Sequence, residues 1–420
     1  MGTPSHYRIL GLGSHLYEAS KIKKLCPDRG LKSLFVGQVV SQMGDSIYMI
    51  ALMWLVLELT GSKAAMGTVA ALSHLPILLF GLLGGVAADV YNRRRVMLAA
   101  DAMRALVVLV LPLTMLYGTV NLGVIYGVTF VSALGIVFFN PARDAIVPEL
   151  VPPSQLVKAN SLIQSSHFAA MLLGPAVAAL LLSAVDLVHL FTINAATFGI
   201  SFGAILLIRY RPTGRQTAAR KSTTGHLGEV VRYVFKERRL RFLLILTAIN
   251  NFFIMGPAIV GTPIFVREIL HQDVTHYAFV ESTLGLGMII GAILVNLAAR
   301  SLGKGKLLLL GMLFDGVTYA VLYYCGTTMG LAALIAFHAL GIPFIIVSRT
   351  ALIQEWVPTG MQGRIFGLAG MAVVGTTAVS CGAVGFLAES IPINLIFGVF
   401  GICATLCGIV GYCYTKLRES

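Results

Sequence analysis

From residue 31 onwards the chain is a succession of long apolar runs separated by short polar clusters. A helix needs about 20 apolar residues to cross the hydrocarbon layer of a bilayer. Twelve stretches reach that length: 31–58, 64–88, 95–117, 121–141, 158–182, 187–209, 241–266, 276–298, 305–324, 328–348, 363–387 and 392–415. The pattern predicts an all-α membrane protein with twelve transmembrane helices in two pseudo-symmetric six-helix halves. The boundaries are an N-terminal extension 1–30, a first half 31–209, a basic linker 210–240, a second half 241–415 and a tail 416–420.

The halves echo one another. Adding 206 carries Gly81, Gly85 and Arg94 onto Gly287, Gly291 and Arg300. The same shift carries Arg143, Ala145, Glu149, Val151, Pro152 and Lys158 onto Arg349, Ala351, Glu355, Val357, Pro358 and Arg364, and Asp45 onto Asn251. One constant offset in three regions implies a duplicated and fused half. Internal repeats in a polytopic membrane protein point to a transporter with its site between the halves.

Composition agrees. Hydrophobic residues make up 57% of the chain and charged ones 12%, too little charge for a soluble surface of this size. The net charge of +13 would suggest a nucleic-acid partner in a soluble protein. Here membrane topology explains it. With both termini cytoplasmic, only Lys63 and Arg267 of 31 Lys and Arg fall outside, as the positive-inside rule requires. Anionic lipid heads are the partner for that charge, and no nucleic acid is expected. No cleavable signal pattern precedes the first span, which is expected to serve as an uncleaved insertion signal. Five cysteines lie in apolar stretches and Cys26 in the basic N-terminal segment, so no disulfide framework is expected. Leu10, Leu12, Leu16 and Tyr17, with Lys21, Lys23 and Lys24, form either a surface helix or a flexible basic tail. In the linker, Leu227, Val230, Val231, Val234 and Phe235 recur at helical spacing and predict an interfacial helix.

An intramembrane acid is costly, about 2.5–3.5 kcal/mol at mid-helix on insertion scales. Asp45 stands near the middle of the first span and is suited to reversible protonation. Its alternatives are Na⁺ or cationic-substrate binding, or a neutral acid bonded to a neighbouring helix. Glu281 sits about two turns into the eighth span, either in the outer vestibule or in a packing hydrogen bond. Asn250, Asn251, Gln38, Ser41 and Asn194 are uncharged lining candidates. His74, His167 and His338 read as packing residues. No metal-ligand spacing, nucleophile elbow, phosphate loop or nucleotide cassette is present. No enzyme, cofactor or metal is therefore expected, and energy must come from an ion gradient or from the substrate's own gradient.

The turn Gly85-Val-Ala-Ala-Asp89-x-x-x-Arg93-Arg94, between the second and third spans, resembles motif A of the major facilitator superfamily. Gln38-x-x-Ser41-x-x-Gly44-Asp45, Asp101-x-x-Arg104, Asn140-Pro-Ala-Arg143, Pro148-Glu-Leu-Val-Pro and Lys158-Ala-Asn160 resemble one branch of it. That branch holds proton-driven multidrug and macrolide exporters, enterobactin-type siderophore exporters and lysophospholipid transporters. Val90 and Asn92 stand where motif A usually carries a basic residue and a glycine. Ala178 and Ala179 follow Gly174-Pro175 where the exporter motif carries paired glycines.

The resemblance implies that the first and seventh spans line the cavity, so that Asp45 and Asn251 face each other. It implies that the ninth span is peripheral and Asp315 structural. It implies that Asp89, clustered with Gly85, Arg93, Arg94, Asp101 and Arg104, locks the eleventh helix and closes the cytoplasmic side. Arg143/Glu149 and Arg349/Glu355, in matching inner loops, are expected to pair as inner-gate salt bridges or to remain solvated. The expected function is proton-coupled export of amphipathic small molecules such as drugs, macrolides or a siderophore, by a monomer in the bacterial inner membrane. The alternatives are a lysophospholipid transporter or flippase, and a non-transporting membrane sensor. The coupling ion is expected to be a proton, with Na⁺ as the other choice.

Overall fold

A computed structural model describes residues 29–208, 223–414 and 417. The expectations for the N-terminal segment and Cys26 lie outside the described residues, as do residues 210–222 of the basic linker and most of the tail. Among the described residues every regular element is helical. Spans one to six are α1 (Arg29–Thr60), α2 (Lys63–Val90), α3 (Arg93–Leu116), α4 (Leu122–Leu150), α5 (Leu156–Leu182) and α6 (Leu187–Leu206). Helix α7 (Thr223–Lys236) follows. The seventh span is α8 (Arg238–Gly256), a π turn (Pro257–Gly261) and α9 (Thr262–Glu268). Next come α10 (Val274–Leu302), α11 (Lys304–Val321), the broken tenth span α12 (Thr328–Ala339) and α13 (Ile342–Trp356), α14 (Thr359–Ala388) and α15 (Ile393–Cys413). Twelve of these spans are long and apolar enough to cross a membrane.

Local chemistry sets the ends. Ser62, Asn92, Asn121 and Thr327 each accept a hydrogen bond from a backbone N–H in the first turn of the following helix, satisfying donors that a helix start leaves open. The packing repeats with a shift of six spans. Helix α1 packs on α5 and α6, α2 on α4, and α3 on α4 and α6. In the second half α8 packs on α14 and α15, α10 on α12, and α11 on α12, α13 and α15. The halves meet through α2 against α14 and α5 against α10, the same two elements exchanged.

Three features differ from the sequence expectation. Helix α4 runs through Pro141 and Pro148 to Leu150, because Ala142, Ile146, Val147 and Leu150 are buried in the core of the first half. Arg143 and Glu149 therefore sit on a helical extension, not in a loop, and Arg349 and Glu355 likewise lie within α13. Helix α7 does not lie free at an interface. Val230 and Val234 pack into the core of the second half with Leu240, Leu352, Ile353 and Ile365, and the Tyr233 hydroxyl donates to the Trp356 carbonyl at 3.3 Å. Gly81 and Gly85 face open space, and Gly84 is the residue that α4 approaches. Gly287 and Gly291, at the offset positions, do pack closely on α12 and on Leu340 beyond its end.

Proline 257 lacks an N–H and opens the helical ladder of the seventh span. Ser380 of α14 enters the opened turn. Its hydroxyl accepts from the Gly256 N–H at 2.8 Å and donates to the Phe252 carbonyl. Polar backbone in lipid must find such a partner.

Apolar packing is continuous at one end of the molecule and divided at the other. At the end bearing loops 61–62, 117–121 and 389–392, here the far end, one core draws on both halves, from Trp54 and Met66 to Ile264 and Phe397. At the opposite, basic end there are two cores, one in the first half and one in the second. The molecule is thus sealed at the far end and cleft at the basic end.

Candidate functional site

Asp45 stands at the middle of α1, where the cleft ends. Gly44 beside it lets α6 approach, since a Cβ there would meet the Thr197 hydroxyl at 2.1 Å. Arg104 of α3 reaches across to Asp45, with Nη2 donating to Oδ1 at 2.6 Å. The Asp45 side chain is 32% exposed and that of Arg104 6%, so the carboxylate faces the cleft and the guanidinium lies behind it. The guanidinium also sits 4.0 Å from the centre of the Phe198 ring, a cation–π contact strengthened by burial. Glycine at 135 makes its path possible: a Cβ would stand 2.5 Å from Arg104 Cγ.

Asp101 precedes Arg104 by three residues, which puts both on one face of α3. It is fully buried, and neither carboxylate oxygen has a hydrogen bond. The Ser201 hydroxyl and the charges of Arg104 and Asp45 lie near it. The site therefore gathers two carboxyls around one guanidinium. Both ionised carboxyls would leave one uncompensated negative charge in a medium that disfavours it strongly. A single added proton restores neutrality. The sequence-based grouping of Asp101 and Arg104 with Asp89 is corrected here: both turn inward to Asp45.

The remaining candidates scatter. Gln38 is buried and accepts from Arg143 Nη1 at 3.1 Å, and Ser41 is buried on the same helix. Arg143 also pairs with Asp144 at 2.8 Å, while Glu149 pairs with Arg93 at 2.5 Å. Glu355 pairs with Lys304. Arg143, Glu149 and Glu355 thus each have a partner outside the pairs Arg143/Glu149 and Arg349/Glu355, since a helical extension points residues six apart in different directions. Arg94 donates to the Ile205 and Leu206 carbonyls at 3.0 and 2.6 Å, a cation at the C-terminus of α6. Asp89 is exposed at the basic end, with Gly85 one turn before it. The Asn251 amide donates to Thr376 and Thr377 hydroxyls at 2.9 Å each. It ties α8 to α14 rather than facing Asp45. Glu281 lies half-buried on α10 near Tyr277 and Tyr319.

Sequence reasoning missed the closure of the far end. Glu389, just past α14, accepts from the Ser62 hydroxyl at 2.7 Å and from the Ala64 N–H at 2.8 Å. It thereby holds the N-terminus of α2 across the two halves. Lys63 bridges to Glu268 at 2.8 Å, and Trp54 stacks on Tyr277 with centroids 6.4 Å apart. The only signal was that Lys63 and Arg267 were the two basic residues at that end.

The Ala64 N–H and the Ser62 hydroxyl, helped by Lys63, hold the Glu389 carboxyl below the usual carboxylate range. A depressed value contributes to closure in full above the ordinary carboxylate pKa, and the contribution is lost as pH falls through the depressed one. Acidifying the far side is therefore expected to loosen closure only below the ordinary carboxylate range. Glu389→Gln should remove that acid limb. Accessibility of Val69→Cys, a position buried in the shared far-end core, to a polar thiol reagent, measured across pH, reads this. An unchanged acid limb in Glu389→Gln would count against the assignment.

Residues 27–420 match the family described as transmembrane secretion effector. Macrolide efflux protein A of Streptococcus pyogenes is 25% identical over 393 residues, covering 90% of this chain and 95% of that one. Multidrug efflux pump Tap of Mycolicibacterium fortuitum is 25% identical over 392 residues, covering 90% and 93%. Among solved structures, the nucleoside transporter NupG superposes with a TM-score of 0.75 at 14% identity, covering 92% of this chain and 99% of that one. A bacterial homologue of the iron transporter ferroportin gives 0.74 at 15%, covering 93% and 99%. The fold, the twelve spans and the match along nearly the whole length converge: the chain is a multi-pass membrane transporter of the major facilitator superfamily and belongs to its transmembrane secretion effector family.

Proposed function

We propose that the protein is a proton-coupled exporter of amphipathic small molecules (drugs, macrolides or a siderophore) in the bacterial inner membrane. The carrying observation is the cluster of Asp45, Asp101 and Arg104 at the blind end of the cleft. Two carboxyls around one permanent cation bind one proton at neutrality, and Asp45 is the member that meets solvent. The efflux relatives supply the substrate class, and the excess of Lys and Arg at the basic end supports a cytoplasmic placement of that end and of both termini. On this reading the cleft is open to the cytoplasm and the molecule is monomeric. The two halves act as duplicated units that rock about the closed far end. Asp89, Arg93 and Arg94 then belong to the gate that closes the basic end in the opposite state. Proton uptake from outside, when the far end opens, would displace substrate, and return to this state would release the proton inside.

A second reading is favoured by one feature. Leu31 of α1, Gln155 beside α5, and Lys158, Ser161, Leu162 and Ser165 of α5 border a groove of about 300 Å³. A lysine and hydroxyls at the edge of an apolar groove suit a lysophospholipid head group and chain.

The test is proton movement in proteoliposomes driven by erythromycin, ethidium, an enterobactin-type siderophore or lysophosphatidylethanolamine, in wild type and Asp45→Asn. Erythromycin-, ethidium- or siderophore-driven proton flux that drops at least about tenfold in the variant supports the reading. Lysophospholipid movement without proton flux moves the answer to the second reading. Undiminished flux in Asp45→Asn removes that residue from coupling.

A further inference from the structure

A second buried polar cluster lies in the other half, away from Asp45. Asp315 of α11 is 4% exposed and His338 of α12 2%. Asp315 Oδ2 accepts from the Asn250 amide of α8 at 3.2 Å. Its Oδ1 has no hydrogen bond and lies 3.6 Å from His338 Nδ1. The same Nδ1 is 3.0 Å from the Thr318 hydroxyl. Thr318 already directs its hydrogen to the Phe314 and Asp315 carbonyls, at 2.7 and 3.0 Å. Its oxygen is therefore the acceptor, and Nδ1 carries the hydrogen. The Tyr319 ring packs edge-on against the imidazole, centroids 4.8 Å apart.

The charge balance decides what this cluster can hold. An ionised Asp315 beside a neutral imidazole would leave a buried negative charge with a single amide donor, an expensive arrangement in a low-dielectric interior. One proton, placed on either the carboxyl or the imidazole, makes the pair neutral as a unit. The two groups then titrate together rather than separately. Among the described residues the neighbouring elements place no fixed countercharge beside the pair. Helix α15 contains no Asp, Glu, Lys, Arg or His, and α12 has only His338. The arginines of α8 (Arg238, Arg239 and Arg241) lie in its first turn, and Arg349 and Glu355 lie beyond the break in the tenth span. Glu281 of α10 and Asp315 both lie near Tyr319.

We propose that Asp315 and His338 form a second proton-binding site, in the half opposite the Asp45 cluster. The contrast with the first half is chemical. Arg104 holds its charge permanently, whereas His338 can give its proton up, so this site can empty. Helix α10, which carries Glu281, also packs on α5 across the interface, where a Cβ on Gly285 would stand 2.5 Å from Leu172 Cα. Rocking of the halves therefore moves Leu172 of α5 against α10, while Glu281, Tyr319 and the pair stay together in the second half. Use of the site in transport rests on the proton-coupled reading above, but its protonation does not.

Two measurements separate those claims. Infrared pH-difference spectra of the purified, lipid-reconstituted protein are expected to contain a carboxylic-acid C=O band that titrates and that vanishes in Asp315→Asn. Erythromycin-driven proton flux is expected to lose a pH-dependent step in the same variant while erythromycin counterflow continues. If Asp315→Asn fails to fold, His338→Gln carries the test, since it keeps the carboxyl but removes its proton partner: the titration of the band should move. A spectrum and a pH profile unchanged in Asp315→Asn, or an unmoved titration in His338→Gln, overturns the proposal. Absence of erythromycin-driven proton flux in wild type would instead sink the coupling reading and leave the infrared assignment standing or falling by itself.

Discussion

Arg104→Met is expected to abolish transport and to destabilise the protein by about 3–5 kcal/mol, the cost of removing one partner of a buried ion pair. Methionine keeps the stem volume but leaves Asp45 without its cation and Asp101 without a nearby positive charge. The protein then either takes up an extra proton permanently or lets water in around Asp45 and Asp101. Thermal unfolding and erythromycin-driven proton flux, measured together, distinguish packing from coupling. The double variant Asp45→Asn/Arg104→Gln removes both charges and should recover more than half of the stability while transport stays absent. Full stability in Arg104→Met alone would mean that the pair makes no net contribution. Recovered transport in the double variant would mean that the charges serve only the fold.

Gly67→Val should have the next largest effect, and in a different property. A Cβ at Gly67 would stand 2.6 Å from the Cys381 carbonyl oxygen and 2.9 Å from Gly385 Cα. Both obstacles are backbone, so neither can turn aside as a side chain can. Overpacking of this kind costs about 1–3 kcal/mol or more, which shifts a two-state equilibrium by about tenfold to a hundredfold or more. The variant should fold, since the clash exists only with the far end closed, and should populate a state with that end open. Spin labels at Ser183 and Gln272, one on each half, should report a longer separation. The same distance distribution as wild type would show that the α2–α14 crossing does not control closure.

The spans were legible because each is set by local pattern: apolar length, a capping Ser, Asn or Thr, and a polar break. The Asp45 candidate was legible for the same reason, as one acid in an apolar run. Its partner was not. Arg104 is 59 residues away and stands in an Asp-x-x-Arg motif at the middle of α3, and the Arg93–Arg95 cluster at the start of that helix offered a simpler home for it. The Ser62–Glu389 contact spans 327 residues, and each end looks alone like an ordinary turn residue. The glycines misled in a specific way. The run Gly81, Gly84 and Gly85 marks α2 as a close-packing helix, but the approach of α4 falls on Gly84 alone of the three, because helix rotation about its axis is fixed by partners rather than by the repeat. Likewise Asn-Pro at 140–141 reads as a helix end, and only the buried residues beyond it reveal that the helix continues.

Ser380 has a consequence for how the chain is made. It follows Gly256 by 124 residues, so at about 5–20 residues per second of synthesis the seventh span waits about 6–25 s for its seal. During that interval the Gly256 N–H and the Phe252 carbonyl have only one another across the turn, and any opening of it exposes both to the apolar layer at several kcal/mol each. The nascent second half is therefore a natural client for insertion chaperones and membrane proteases until the eleventh span arrives. Ser380→Ala would leave that client state without an end, and pulse-chase labelling should find the newly made chain degraded faster while the mature wild-type pool stays long-lived. Biogenesis, more than the transport cycle, would then be the process that makes a serine necessary at this position.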